Sequence, residues 1–337
     1  MRLSLDTAQL DFQRALARML KEADTPSAVR AWARGEHGPG LALWERVAAM
    51  GVLGLATPET HGGSGTSPVE LSVAFTELGR HAVPGPYVET VAAAALLSRL
   101  AEHGETAPAA AWLPRVGAGS ARLTLTLPGG GPYALDADAC DAVLAVAPGT
   151  DTLRLVTAHG PVRLSLDPAR RLARPDGGGE VLAAGPAVRE AAAHAADLAA
   201  FAVAAQALGV GCALLERTVA YVRQRTQFGS PVGAFQAVKH RLADTLVGLE
   251  FARPLISGAA VALAKGARSA TAEVAAAKAT ACDVAYAAAR TALQLHGALG
   301  YTAEYDLSLW LGKARALRSA WGTPAECRAR AMQLFFE

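Results

Sequence analysis

Between Leu198 and Leu215 lie 18 consecutive residues of which only Gln206 has a polar side chain. An apolar run of that length can cross a bilayer. Its bulk, however, is alanine and glycine, and Asp197, Glu216 and Arg217 flank it directly. A helix buried on nearly all sides in a bundle explains it better than a membrane span. Such a helix needs neighbours of comparable length, and the sequence supplies them. From Pro186 onward the periodicity predicts helices at about 187–225, 234–265, 268–298 and 304–334, the last broken at Gly322-Thr323-Pro324. Short connections between them predict an antiparallel four-helix bundle over residues 186–337.

The first connection, Arg225 to Gln236, packs a cation, two amides and an aromatic ring into a bend. Gly229, Pro231 and Gly233 interrupt the helical period that resumes with Val238, Leu242, Leu246 and Leu249 on one face. Read alone, the bend suits a flat anionic ligand, with Arg225 forked onto a phosphate and Gln236 paired with a base edge. It also suits a bundle corner whose polar groups face water.

Upstream, the texture is helical and then changes. Phe12, Leu16, Met19 and Leu20 form a helical stripe capped by Asp6 or Thr7, and Leu41–Met50, Val69–Arg80 and Tyr87–Leu100 continue the pattern. From about 112 to 183 the period becomes two, as in Leu123–Leu127, Leu153–Val156 and part of Val162–Leu166, punctuated by Gly129-Gly130-Gly131 and Gly177-Gly178-Gly179. The expected fold is α+β and mainly α: a helical domain over 1–110, a small β domain over 111–185 and the bundle.

Partners are bounded by charge. Lys and Arg total 32 against 30 Asp and Glu, too balanced for a field that would hold nucleic acid or an anionic membrane. Cys140, Cys212, Cys282 and Cys327 are far apart, which suits reduced thiols and no metal site. The first residues lack a signal-peptide core, so a cytoplasmic location is expected.

Two strings are more specific than any of this. RTQFGSPVGAFQAVKHRLAD, from Arg225, and Gln294-Leu295-His296-Gly297-Ala298-Leu299-Gly300-Tyr301-Thr302-Ala303-Glu304-Tyr305 resemble, in order and spacing, the C-terminal signatures of the acyl-CoA dehydrogenases. Residues 51–65, ending Pro58-Glu59-Thr60-His61-Gly62-Gly63-Ser64-Gly65, resemble that family's N-terminal loop. The resemblance implies a flavin adenine dinucleotide (FAD) shared across a subunit interface. By position, Arg225, Gln227, Phe228 and Gln236 would meet its diphosphate and adenosine end, Gln294, Gly297 and Ala298 would form the other wall, and Thr323 would add a contact.

The family reaction needs a carboxylate to remove the α proton of the thioester, donors for the enolate-like oxygen, and the flavin as hydride acceptor. Most members place the glutamate just before a Gly-Thr pair. Here Trp321 precedes Gly322-Thr323, and an indole cannot accept that proton. The alternative site on the first bundle helix, near Leu198–Phe201, holds alanines. The β-domain motif Thr-Glu-Pro-x-x-Gly-Ser-Asp is reduced to Thr126-Leu127-Pro128-Gly129-Gly130-Gly131. His296 does not serve as a base at this point in the family. Asp244, Glu250, Glu273 and Asp283 read as solvated.

The resemblance therefore implies a subunit without its own base, catalytic residues none, paired with a homologous acyl-CoA dehydrogenase subunit in a heterotetramer that binds the acyl-CoA thioester at the partner's site. Such unequal pairs occur in the breakdown of steroid side chains. Two alternatives stay open: an active homomer with a relocated base, Glu326 first, and a scaffold that is not an enzyme.

Overall fold

The computed structural model describes residues 4–336. Three helices open the chain: α1 (Thr7–Glu22), α2 (Thr25–Ala33) and α3 (Gly38–Ala49). Asp6 caps α1 by accepting from the Gln9 amide, while the Gln9 side chain accepts from the Asp6 amide, a reciprocal pair that satisfies two otherwise free donors. Next come α4 (Pro68–Arg80), α5 (Tyr87–Glu102) and α6 (Thr106–Gly117).

The sheet region is small. A four-stranded sheet runs β1–β3–β4–β7, from β1 (Leu123–Thr126), β3 (Ala142–Val146), β4 (Thr152–Val156) and β7 (Glu180–Ala184). Only the β1–β3 pair is parallel. Three shorter strands, β2 (Ala134–Leu135), β5 (Arg163–Leu164) and β6 (Arg171–Ala173), pair antiparallel in the order β2–β6–β5. Val143 and Val156 of the first sheet pack on Ala134 and Ala173 of the second. The other face of the first sheet joins the helical core through Leu123, Leu125, Leu144 and Leu153.

The bundle is built from α7 (Pro186–Gln224), α8 (Gln236–Ala264), α9 (Ala270–His296), α10 (Leu307–Leu317) and α11 (Pro324–Phe336). As expected, α7 is the central helix, with 89% of its most apolar window inside the molecule. In the last helix the break comes early. Helix α10 stops at Leu317, and the chain turns through 318–323 before Pro324 starts α11.

Glycine in the apolar run has a steric cause. A Cβ on Gly209 would stand 1.9 Å from the carbonyl oxygen of Thr76, and one on Gly79 would stand 2.0 Å from that of Gln206. Helices α4 and α7 thus cross backbone to backbone, and either methyl would push them apart. Gly209→Ala is expected to cost about 3 kcal/mol, the upper end for overpacking, read as a lower denaturation midpoint with unchanged slope.

The two halves are also pinned by charge. Lys313 on α10 pairs with Asp167, in the loop before β6, at 3.1 Å, and both side chains are almost wholly buried. The four cysteines are free.

Candidate active site and nucleotide wall

Helix α7 ends at Arg225, whose extended backbone leads into a two-residue hairpin, β8 (Thr226–Gln227) and β9 (Ser230–Pro231). Its turn residues Phe228 and Gly229 have φ of 53° and 75°, the pair of positive angles that a type I′ turn requires. A phenylalanine in that position is strained. Phe228 is 92% exposed and meets Phe235 edge-on, ring centroids 6.3 Å apart. Arg225, Gln227 and Gln236 are exposed as well, and the Arg225 guanidinium makes no ion pair among the described residues.

The second signature ends α9. Gln294, Gly297 and Ala298 line one concavity of about 650 Å³ together with Arg241, Arg290 and Tyr301. At Gly297 φ is +59° and no atom lies within 4 Å of where a Cβ would stand, so a ligand can approach the backbone there. The two arginines are not ion-paired among the described residues. No motif or spacing in the sequence singles them out.

One buried histidine joins the two signatures. His296 stacks on Tyr221, centroids 4.1 Å apart, one turn before Arg225, and lies 5.6 Å from Tyr305. Its Nδ1–H donates to the Ala292 carbonyl, 2.8 Å away, and burial holds its pKa below the ordinary value. The imidazole is a packed, neutral spacer between the turns.

Trp321 lies in the turn between α10 and α11, and its φ of 56° is left-handed. Lys278, fully buried on α9, holds this turn by donating to the carbonyls of Leu317 (3.3 Å) and Gly322 (2.9 Å). The Cys282 thiol also reaches the Leu317 carbonyl, at 3.5 Å. So held, the indole meets the β domain. A Cβ on Gly130 would lie 2.8 Å from its ring, and its Nε1–H donates to Glu89 Oε1 at 3.1 Å.

Glu89 belongs to the first turn of α5. A lone carboxylate in the run Tyr87–Leu100 was the available signal, since acidic side chains are rarely buried without purpose. A cavity of about 210 Å³ remains around these groups, lined by Glu89, Leu125, Tyr133, Arg170, Arg315 and Trp321 among others. That is below the roughly 300–1,000 Å³ of ordinary ligand pockets. The two family positions expected to face a flavin ring and its substrate, Trp321 and the segment around Leu125–Gly131, do meet here in space.

Glu326 does not line that cavity. It accepts from the amide and hydroxyl of Thr323, both at 2.8 Å, while the Thr323 hydroxyl receives the Glu326 amide, so the pair caps α11. The Thr323 amide and hydroxyl hold the Glu326 carboxyl below its ordinary pKa. Asp283, expected to be solvated, instead binds Arg318 and Arg328 and ties α9 to the turn after α10 and to α11.

Known proteins match both helical parts of the chain. Residues 6–120 match the acyl-CoA dehydrogenase N-terminal domain and residues 189–331 the C-terminal domain. The chain is 34% identical over 307 residues to the acyl-CoA dehydrogenase IpdE2 of Mycobacterium tuberculosis, covering 90% of each. Among solved structures it resembles the Tcur3481-Tcur3483 steroid ACAD G363A variant, with a TM-score of 0.85, 26% identity and 98% of each chain covered. The ChsE4-ChsE5 complex from Mycobacterium tuberculosis shares the fold, with a TM-score of 0.82, 22% identity, and coverage of 100% of this chain and 99% of that one. The chain belongs to the acyl-CoA dehydrogenase family.

Proposed function

We propose that this chain is the subunit without a base in a hetero-oligomeric, cytoplasmic, FAD-dependent acyl-CoA dehydrogenase. It supplies the nucleotide-holding wall of an FAD site to a homologous partner subunit, and the partner's own pocket takes the flavin ring and the acyl-CoA thioester. The observation that carries this reading is the indole of Trp321, set against Gly130 and hydrogen-bonded to Glu89 where the family places its carboxylate.

The residues present fit one half of the cofactor. Arg225, Gln236, Gln294, Arg241 and the open backbone at Gly297 offer cations, amides and a bare peptide to a diphosphate and adenosine. The ring's place does not fit, because the indole fills it. When bound, FAD accepts the hydride from the β carbon. This chain's residues hold its nucleotide and move no proton.

A partner is further supported by the surface of α8, where Val247, Phe251 and Leu255 form an exposed apolar stripe, Phe251 at 70% exposure. Exposed Phe228 and Tyr301 add large apolar surface beside the nucleotide wall. Because one relative is described as a steroid acyl-CoA dehydrogenase with two named components, a steroid-derived acyl-CoA is the substrate class to try first.

Co-expression with a homologous dehydrogenase encoded beside it is expected to give a complex with fewer flavins than chains. Arg225→Ala should cut flavin retention at least tenfold, measured by absorbance after gel filtration. Isolation of this chain alone as a flavin-saturated homo-oligomer that oxidises acyl-CoA would overturn the reading.

A further inference from the structure

The cavity beside Trp321 has polar groups that neither nucleotide holding nor subunit pairing uses. Glu89 is only 2% exposed. The indole occupies its Oε1, while its Oε2 is buried with no hydrogen-bond partner. A buried carboxylate oxygen left unpaired costs about 1–3 kcal/mol or more, so a donor arriving in the cavity gains that much on pairing with it. Arg170 also lines this cavity, with a half-buried guanidinium that makes no hydrogen bond or ion pair among the described residues. Tyr133, Ser165 and Ser319 add hydroxyl groups, and Arg315 stands exposed at the rim.

We infer that this cavity binds a short hydroxycarboxylate, its hydroxyl donating to Glu89 and its carboxylate taken by Arg170. Charge decides between candidate ligands. Glu89 with Arg170 and Arg315 leaves one net positive charge in the lining, which a monoanion neutralises and an amino acid zwitterion does not. Glu89, accepting only, needs a donor at the deep end, which a plain fatty acid anion lacks. Size favours a short ligand: about 210 Å³ is below the roughly 300–1,000 Å³ of ordinary ligand pockets, which suits a few carbons better than a thioester with its pantetheine. The site is separate from the nucleotide wall, so it stands or falls independently of the heteromer.

The test uses the protein as it purifies, with any partner retained, and titrates 3-hydroxypropionate, 4-hydroxybutyrate and 5-hydroxyvalerate against butyrate. Because the Trp321 indole shares Glu89 with the ligand, quenching or shift of tryptophan emission reports occupancy, with saturation-transfer NMR as a second measure. At least one hydroxy acid should saturate the site and bind about tenfold tighter than butyrate. Glu89→Gln should remove most of that preference, and Arg170→Gln should weaken the hydroxy acids and butyrate alike by about tenfold. The Arg170 guanidinium makes no hydrogen bond or ion pair among the described residues, so the second variant remains informative if the first fails to fold. Absence of saturable binding at millimolar concentration, or binding unchanged in Arg170→Gln, overturns the inference.

Discussion

Asp136→Asn is expected to stabilise the protein by up to about 4 kcal/mol at pH 8 and by clearly less at pH 5. The side chain is fully buried between the N-terminal helices and the sheets, and burial raises its pKa from 3.8 to about 7. The Trp32 indole, the Arg171 amide and the Arg170 charge pull the other way, and the Glu89 charge adds to the rise. An acid whose folded pKa is raised binds its proton more tightly when folded. Its contribution is complete below the unfolded value near 3.8 and is lost as pH rises through about 7. About three pH units at about 1.4 kcal/mol each give the stated ceiling. Asparagine mimics the neutral form, keeps an oxygen for the Arg171 amide that Oδ1 now accepts at 3.1 Å, and tolerates the left-handed backbone, φ 52°, at this position. Denaturant titrations of both proteins from pH 4 to pH 8 should diverge as pH rises and level off above about 7. Parallel curves would mean that Asp136 is ionised throughout.

Removing one member of the Asp167–Lys313 pair should have a comparable effect of opposite sign. Asp167→Ala leaves the Lys313 ammonium buried without its counter-charge, and also removes the Oδ1 that accepts from the Ala169 amide at 3.1 Å. The expected loss is about 3–5 kcal/mol. The double replacement Asp167→Leu with Lys313→Met should recover most of it, because an apolar pair of similar volume avoids the desolvation that the ions require. Equilibrium unfolding of Asp167→Leu, Lys313→Met and their double variant closes the cycle. Equal losses in the single and double variants would show that the loop hydrogen bond, and not the charge, is what matters.

The bundle was legible in the sequence because its signals are long. The expected 187–225, 234–265 and 268–298 lie within about two residues of α7, α8 and α9 at each end, since the apolar run sets the first and glycine or proline marks the bends. Helices α2 and α6 did not stand out. The first is nine residues, and the second contains Pro114. Strands β2 and β6 are two and three residues, too short for a period to register.

The site divides the same way. Arg225, Gln227, Phe228 and Gln236 fall within one bend, and Gln294, Gly297 and Ala298 within another, so each candidate set lies in one contiguous string that a family resemblance can pick out. The cavity draws Glu89, Leu125, Tyr133, Arg170 and Trp321 from four distant segments, and no periodicity links them. The backbone twist of Trp321 was equally hidden, because a left-handed tryptophan depends on the tertiary clamp from Lys278 and has no local signature. Glu326 shows the converse. The threonine three residues before it was visible in the sequence and spells a capping pair.

Lys278 and Gln294 stand on one straight helix, about sixteen residues and so about 24 Å apart at the α-helical rise. The first fixes the turn that bears Trp321, and the second lines the concavity proposed to hold the nucleotide. Helix α9 is therefore a ruler between the two proposed ligand sites. A single inserted residue in α9 would rotate one end against the other by about 100°.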